Sequence, residues 1–158
     1  MLEGKAEVKE LDYAQVPWMD QDIEYPAPQS VVDLRKAVAD ADGVWVFSPE
    51  YNYAYPGHLK NLIDWLSRPV NPADRTAPTV LAGKKFTLTG AGGQGATVSC
   101  RKMLTSLLTT LKASVMTEGQ TGIALNVEAW TEGRMILDDE QKAALTRQVD
   151  LFLSFLDD

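Results

Sequence analysis

The feature that most constrains this fold is an alternation between continuous apolar runs and segments with apolar residues at helical spacing. The run GVWVFS (43–48) is apolar up to its final serine, which is typical of a strand covered on both faces. Amphipathic segments flank it at 31–41 and 58–68, and a second run, GKKFTLTG (83–90), leads into a long amphipathic segment at 96–111. This alternation predicts an α/β fold with a parallel sheet and helices on both of its faces.

Three further segments complete the predicted order of elements, and one connection has no clear pattern. EVKELDY (7–13) alternates polar and apolar residues and is predicted as a short strand, and ASVMTEG (113–119) is predicted as a fourth strand. The final segment, 138–156, is predicted as an amphipathic helix capped by one of the two aspartates that begin it. Residues 120–135 are interpreted as a connection.

Length, charge and cysteine content limit the classes of protein to which the chain can belong. Its 158 residues fit one domain, and its net charge of −7 disfavours nucleic acids and anionic membranes as partners, because both require a basic surface. No apolar run approaches the roughly 18 residues of a membrane span. The one cysteine, Cys100, cannot form an internal disulfide, which predicts a reducing compartment, the cytoplasm. It lies in a predicted helix and is interpreted as a packing residue.

Two loops follow the two apolar runs and are predicted to lie at the carboxyl edge of the sheet, where open α/β sheets bind ligands. In SPEYNYAY (48–55), the backbone groups of a turn are free to bond a heterocycle, and the tyrosines offer flat faces for stacking. An ordinary turn with surface tyrosines remains the alternative. GAGGQG (90–95) matches neither the P-loop nor the dinucleotide fingerprint, so it either admits a ligand or only makes a tight turn.

The sequence offers no acid, base or nucleophile in a recognisable catalytic pattern. His58 is the only histidine, and neither a metal site nor a catalytic triad can be assembled around it from the sequence. No catalytic residue and no metal ligand is therefore predicted. Chemistry without catalytic side chains indicates a cofactor that carries the reaction, with the protein supplying orientation and electrostatics.

The segment PEYNYAYPGHLKNLIDWLSRP (49–69) resembles the signature of the NADPH-dependent FMN reductase family, a flavodoxin-like group of flavin, quinone, azo-dye and chromate reductases. LAGKKFTLTGAGGQGA (81–96) resembles the strand and glycine-rich loop that follow it in that family. The resemblance implies a flavodoxin-like three-layer sandwich, FMN as cofactor and NADPH or NADH as co-substrate. It also implies assembly as a homodimer or homotetramer, with Ser67 and Arg68 lying towards subunit contacts.

The resemblance also implies which residues contact the flavin. The residues that would border the isoalloxazine ring are Pro49, Glu50, Tyr51 and Asn52. Tyr53 would assist at the edge of the ring. Ala91 and Gly92 would close on its pyrimidine side.

The sequence departs from the family pattern at its beginning. Family members start with an apolar strand, a G-S-x-R-x-x-S-x-N loop that holds the FMN phosphate, and a first helix, and nothing of this kind precedes EVKELDY. The expectation is one flavodoxin-like domain over 1–158 without its first strand and helix, either because the chain is incomplete or because a partner chain repairs the gap.

Two functions are consistent with these patterns. The first is an FMN-dependent NAD(P)H oxidoreductase that reduces a quinone, azo compound, free flavin or metal oxyanion by ping-pong hydride transfer. The second is a flavodoxin-like electron carrier or a non-catalytic scaffold that has lost flavin binding. The reductase signature favours the first, and the missing first strand favours the second.

Overall fold

A computed structural model of the chain describes residues 2–158 and shows one parallel sheet of four strands. The central strand is β2. Its residues from Lys85 to Gly90 pair with all of β1, with Gly43 opposite Lys85 and Ser48 opposite Gly90. On its other side β2 pairs first with β3 and then with β4. The strands are β1 (Gly43–Ser48), β2 (Lys85–Gly92), β3 (Ser114–Val115) and β4 (Thr121–Ala124).

Helices cover both faces of the sheet, which confirms the predicted fold class. Phe86 and Leu88 of β2 pack into one core with the first three helices, while Thr87 and Thr89 point to the opposite face and bond Gln148 of the last helix. None of the helices among residues 2–158 has the length and apolar character needed to cross a membrane. The helices are α1 (Gln29–Asp40), α2 (Gly57–Leu66), α3 (Val98–Thr110), α4 (Val127–Thr131) and α5 (Asp139–Asp157), and a short 3-10 turn spans Gln21–Ile23.

A buried glutamine bridges the break between β3 and β4. Gln148 is fully buried, and its Nε2 donates to the carbonyl oxygen of Leu88 at 3.0 Å and to Thr87 Oγ1 at 2.8 Å. Its Oε1 accepts from the backbone N–H of Thr121 at 3.0 Å and from Thr89 Oγ1 at 2.9 Å. The side chain thus pairs two backbone groups at the break, the Leu88 carbonyl and the Thr121 N–H, and no polar atom of the amide is left unpaired.

Two of the predicted boundaries need correction, and one cap is confirmed. The strand predicted at 113–119 is reduced to β3, and the connection predicted at 120–135 contains β4 and α4. Ile123 is the one large apolar residue in the four-residue strand β4, so the sequence shows no alternation of polar and apolar residues that would predict a strand there. Asp138 caps α5 as predicted, through a reciprocal capping box with Gln141.

The strand predicted at 7–13 is wrong, since these residues form no regular element and are mostly exposed. A strand requires a partner for its N–H and C=O groups, and no strand among residues 2–158 lies beside the free edge of β1. The flavodoxin-like order places the family's first strand at this edge. Phe47 is exposed there and stacks on Trp45 at 5.5 Å, while Trp45 meets Phe152 of α5 edge-on.

Candidate active site

The two loops predicted as ligand sites meet at the carboxyl edge of the sheet. We call residues 49–55, after β1, the tyrosine loop, and residues 93–97, after β2, the glycine loop. Because β1 and β2 are adjacent and parallel, the two loops leave the same edge of the sheet; β1 ends at Ser48, opposite Gly90, and β2 continues to Gly92. A methyl group placed on Gly92 would lie 4.0 Å from the backbone N and from the Cβ of Glu50. The structure therefore brings the predicted residues after β1 together with those at the end of β2.

The tyrosine loop contains a tight two-residue turn. Tyr51 N–H donates to the Ala54 carbonyl at 2.9 Å, and Ala54 N–H donates to the Tyr51 carbonyl at 3.0 Å. Between them Asn52 and Tyr53 have φ values of 52° and 64°, the positive pair that characterises a type I′ turn. Asparagine tolerates this region, but a tyrosine there is strained. The turn leaves the side chains of Tyr51 and Tyr53 62% and 77% exposed.

The backbone of this turn offers unused hydrogen-bond donors. Within residues 2–158, no hydrogen bond engages the N–H groups of Asn52 or Tyr53. The paired hydrogen bonds of the turn fix the backbone that carries these two donors and the two neighbouring phenol groups. A flat heterocycle with acceptor atoms on its edge fits this combination of donors and faces.

Glu50 joins the tyrosine loop to helix α3. Its Oε2 accepts a hydrogen bond at 2.8 Å from the backbone N–H of Cys100, the third residue of the helix. The N-cap residue of α3, Thr97, makes no side-chain capping bond, so the carboxylate of Glu50 takes over that task from 50 residues away in sequence. The negative charge lies at the positive end of the helix dipole, which favours it. Glu50 is thus close to the predicted ring position, with its carboxylate committed to α3.

Cys100 lies beneath the tyrosine loop and has the environment of a packing residue. Its side chain is fully buried, with Sγ 3.6 Å from Ser48 Oγ and 3.5 Å from the carbonyl oxygen of Pro49. Burial raises the pKa of the Cys100 thiol, which keeps it protonated and poorly nucleophilic. This agrees with its interpretation from the sequence.

The glycines near the second loop fall into two groups. Thr97 is 1% exposed and lies directly over β2, so that a methyl group on Gly90 would be 1.9 Å from Thr97 Oγ1. Gly93 and Gly95, in contrast, have no atom within 4 Å of the corresponding position. Gly90 therefore permits close packing, as in a tight turn, whereas Gly93 and Gly95 border open space. The binding of a ligand by this loop stays a prediction.

Several residues that shape the site were not predicted from the sequence. Thr97 and the N–H group of Cys100 are two of them, and Gly122 is a third, because a methyl group there would lie 2.1 Å from the Ala96 carbonyl oxygen. Arg68, predicted to lie towards a subunit contact, makes an ion pair within the chain with the buried Glu24 at 2.7 Å. Among residues 2–158, no three His, Cys, Asp or Glu side chains are grouped so that they could hold a metal ion.

The fold and the paired loops define a flavodoxin-like α/β protein with a candidate ligand site at the carboxyl edge of its sheet. The family model of the NADPH-dependent FMN reductases matches residues 1–127. The chain belongs to this family, as its signature predicted.

Curated relatives and a solved structure agree with that assignment. A quinone reductase of Escherichia coli is 36% identical over 149 residues, which cover 90% of this chain and 74% of the relative. An NAD(P)H-dependent FMN reductase of Pseudomonas aeruginosa is 26% identical over 87% of this chain and 72% of the relative. The flavoenzyme NAD(P)H:(acceptor) oxidoreductase FerB of Paracoccus denitrificans superposes with a TM-score of 0.83 at 27% identity, over 99% of this chain and 83% of FerB.

Membership of the family confirms three predictions made from the sequence. These are the flavodoxin-like fold, the oxidoreductase class of the enzyme, and FMN with NAD(P)H as the cofactor and co-substrate that the family uses. The roles of individual residues in the two loops remain predictions.

Proposed function

We propose that the protein is an FMN-dependent NAD(P)H oxidoreductase that reduces a small acceptor by a ping-pong mechanism. The candidate acceptors are a quinone, an azo compound, free flavin and a metal oxyanion, and the name of the Escherichia coli relative, a quinone reductase, supports the first. The observation that carries the proposal is the rigid turn from Tyr51 to Ala54. Its free N–H groups and exposed phenol rings lie at the ligand-binding edge of the sheet.

The two loops would hold the FMN ring from two sides. Residues 49–52 would border it, with Tyr53 at its edge and with Ala91 and Gly92 on its pyrimidine side. When bound, FMN supplies the redox chemistry, accepting a hydride from NAD(P)H and delivering electrons to the acceptor. The chain supplies backbone N–H donors that favour negative charge on the ring, and tyrosine side chains that exclude water from it.

Capping of α3 by Glu50 supports this electrostatic role. A free carboxylate beside the ring would oppose a build-up of negative charge there. The bond from Cys100 N–H at 2.8 Å and the helix dipole offset the charge of Glu50. The glutamate can therefore stand next to the ring and connect the two loops without opposing reduction.

A steady-state experiment tests the mechanism. In the proposed mechanism one open edge would serve both NAD(P)H and the acceptor, so the first product would leave before the second substrate binds. We expect purified protein loaded with FMN to consume NADPH with 1,4-naphthoquinone and to give parallel lines in double-reciprocal plots. Intersecting lines would contradict the ping-pong mechanism, and a protein that holds no FMN would contradict the assignment.

Two substitutions test the placement of the ring. Asn52→Ala and Tyr51→Ala are each expected to weaken FMN binding, the second by about 1 kcal/mol, because a stacking face is lost. Tyr13→Ala is a matched control, since Tyr13 is also an exposed tyrosine but lies outside the loop. Titration of flavin fluorescence measures the affinity, and equal affinities in the Tyr51 and Tyr13 variants would contradict the placement.

The second candidate function is an electron carrier or a non-catalytic scaffold without flavin. The free edge of β1 and the exposed Phe47 favour it, because both leave surface uncovered beside the site. A colourless protein whose addition leaves FMN fluorescence unquenched would support the scaffold over both the enzyme and the electron carrier.

We also propose that the protein assembles as a homodimer or homotetramer in the cytoplasm. The family resemblance supports the assembly, and the single buried cysteine suits a reducing compartment. Light scattering on the purified protein measures its mass, and a monomeric mass at micromolar concentration would contradict the assembly.

A further inference from the structure

The side chain of Arg101 joins the glycine loop to strand β4. Its Nη1 donates to the carbonyl oxygen of Gln120, the residue before β4, at 3.2 Å. Its Nη2 donates to the carbonyl oxygen of Ala96, in the glycine loop, at 3.4 Å. The planar fork of the guanidinium thus connects two backbone segments that are not adjacent in sequence.

The glycine loop lies close to β4 because Gly122 has no side chain. A methyl group on Gly122 would lie 2.1 Å from the carbonyl oxygen of Ala96 and 2.6 Å from Nη2 of Arg101. Gly122 pairs with Gly90, over which Thr97 packs. The end of the loop therefore lies across two neighbouring strands, and Arg101 holds it at β4.

Arg101 occupies an unfavourable position for a cation. It is the fourth residue of α3, at the positive end of the helix dipole. Among residues 2–158, no carboxylate forms an ion pair with it, and its buried Nε has no hydrogen-bond partner. Burial lowers the pKa of its guanidinium, which nevertheless stays charged at neutral pH. The hydrogen bonds that offset these costs are the two to the loop and to the residue before β4.

The loop that Arg101 holds begins directly after Gly92, which is predicted to close on the pyrimidine side of the flavin ring. The first part of the loop is open, since nothing lies within 4 Å of a methyl group placed on Gly93 or Gly95. Its end is strained, since Ala96 has a φ of 45°. An open segment keeps one conformation only while its end is fixed, and the guanidinium is bonded to that end.

We propose that Arg101 is a positioning residue for the cofactor, and that its bond to the carbonyl oxygen of Ala96 keeps the glycine loop in the conformation that receives the flavin ring. The inference rests on the proposed function and adds a residue that acts on the ring through the loop. Without the guanidinium, the loop would have to be ordered when FMN binds. The entropy cost of that ordering would appear as weaker binding.

Backbone 15N relaxation of the flavin-free protein tests the hold on the loop. Arg101→Met keeps a long side chain but removes the donors, so the order parameter of Ala96 is expected to fall from about 0.85 to below about 0.6. Arg35→Met is the matched control, because Arg35 also bonds a backbone carbonyl, that of Trp65, but lies outside both loops. This variant should leave the order parameter of Ala96 unchanged.

Titration of flavin fluorescence, well below the unfolding temperature, measures the effect on the cofactor. Arg101→Met is expected to raise the Kd for FMN by about 5- to 30-fold, which corresponds to fixing the backbone of one residue. Arg101→Lys keeps the charge and can bond one of the two carbonyl groups, so it should restore part of the affinity. Arg35→Met should lower stability and leave the Kd unchanged, which separates positioning from a general loss of stability.

The two measurements separate the inference from the proposed function. An unchanged order parameter of Ala96 in Arg101→Met, or equal losses of FMN affinity in Arg101→Met and Arg35→Met, would overturn the inference even if the enzyme is active. A loop that loosens in Arg101→Met in a protein that binds no FMN would support the hold of Arg101 on the loop and contradict the proposed function. If Arg101→Met does not fold, Arg101→Lys serves for both measurements, with smaller changes in the same direction.

Discussion

The tyrosine loop and the glycine loop share an unusual backbone property but use it differently. Each contains two consecutive residues other than glycine with positive φ, Asn52 and Tyr53 in one and Ala96 and Thr97 in the other. Thr97 is buried over Gly90, so packing offsets its strain, whereas Tyr53 stands in solvent. The comparison indicates two uses of a strained backbone. In the glycine loop it allows Thr97 to pack against β2, and in the tyrosine loop it leaves the ring of Tyr53 exposed to solvent.

The largest expected effect comes from filling the space beneath Thr97. Gly90→Ala places a methyl group 1.9 Å from Thr97 Oγ1 and 2.7 Å from its Cβ, so it should lower the free energy of unfolding by about 3 kcal/mol or more. Urea denaturation measures the loss. Gly93→Ala is the control, since its methyl group enters open space and should change stability by less than about 0.5 kcal/mol. Equal losses in both variants would contradict the close packing of Thr97 over Gly90, on which the account of the glycine loop depends.

The ion pair between Glu24 and Arg68 lies outside both loops. Its removal therefore changes the stability of the fold without changing a residue of the candidate site. The hydrogen bonds from Arg68 hold the pKa of the Glu24 carboxyl below its ordinary value of 4.5, against the effect of burial, which raises it. The pair therefore stabilises the fold above pH 4.5, and this contribution is lost as the pH falls through the lowered pKa.

Glu24→Gln should accordingly lower the free energy of unfolding at pH 7 by about 2 to 3 kcal/mol and flatten its acid dependence. Denaturation followed between pH 3 and pH 7 checks both expectations. Glu132→Gln, which removes an exposed pair with Arg134, should change little. FMN affinity should be unchanged in Glu24→Gln, because Glu24 lies outside both loops. A loss of FMN affinity in this variant would contradict the assignment of binding to the two loops.

The bond between Glu50 and Cys100 connects the two loops, and its removal should have an intermediate effect. Glu50→Ala leaves the first turn of α3 without its cap and should lower the free energy of unfolding by about 1 to 2 kcal/mol. FMN binding should weaken as well, because the tyrosine loop loses its anchor. Glu50→Gln keeps an oxygen acceptor and should remain close to the unmodified protein. Calorimetry with and without FMN distinguishes the two variants.

The smallest effect has the opposite sign and tests the strain in the tyrosine loop. Tyr53→Gly removes an unfavourable left-handed tyrosine and should raise the free energy of unfolding by about 1 kcal/mol. It also removes an exposed ring, so FMN affinity should fall. A variant that is both more stable and better at binding FMN would contradict the role of this side chain.

The periodicity of the sequence predicted the elements that bury apolar surface on a regular spacing. The run at 43–48 became β1, and the segment at 96–111 became α3, because their apolar residues face the core. The meeting of the two loops was also predictable, since parallel strands bring their carboxyl ends to one edge. The segment at 7–13 had the pattern of a strand but no partner, and a pattern alone does not supply one.

The remaining features depend on contacts that no local pattern encodes. The bond from Cys100 to Glu50 spans 50 residues, and the position of Thr97 over Gly90 depends on a left-handed backbone that its side chain does not favour. The insertion of Gln148 between β3 and β4 likewise became visible only with the tertiary structure, because a glutamine in an amphipathic helix is usually exposed.

The central claim is that a flat flavin ring lies against the tyrosine loop and uses its free N–H groups. Titration of 15N-labelled protein with FMN, followed by backbone amide NMR, tests this most directly. We expect the amide resonances of Asn52 and Tyr53 to show the largest shifts on binding, together with those of Gly92 and Gly93. Saturable binding of FMN that leaves these amides unchanged and shifts resonances elsewhere would contradict the account.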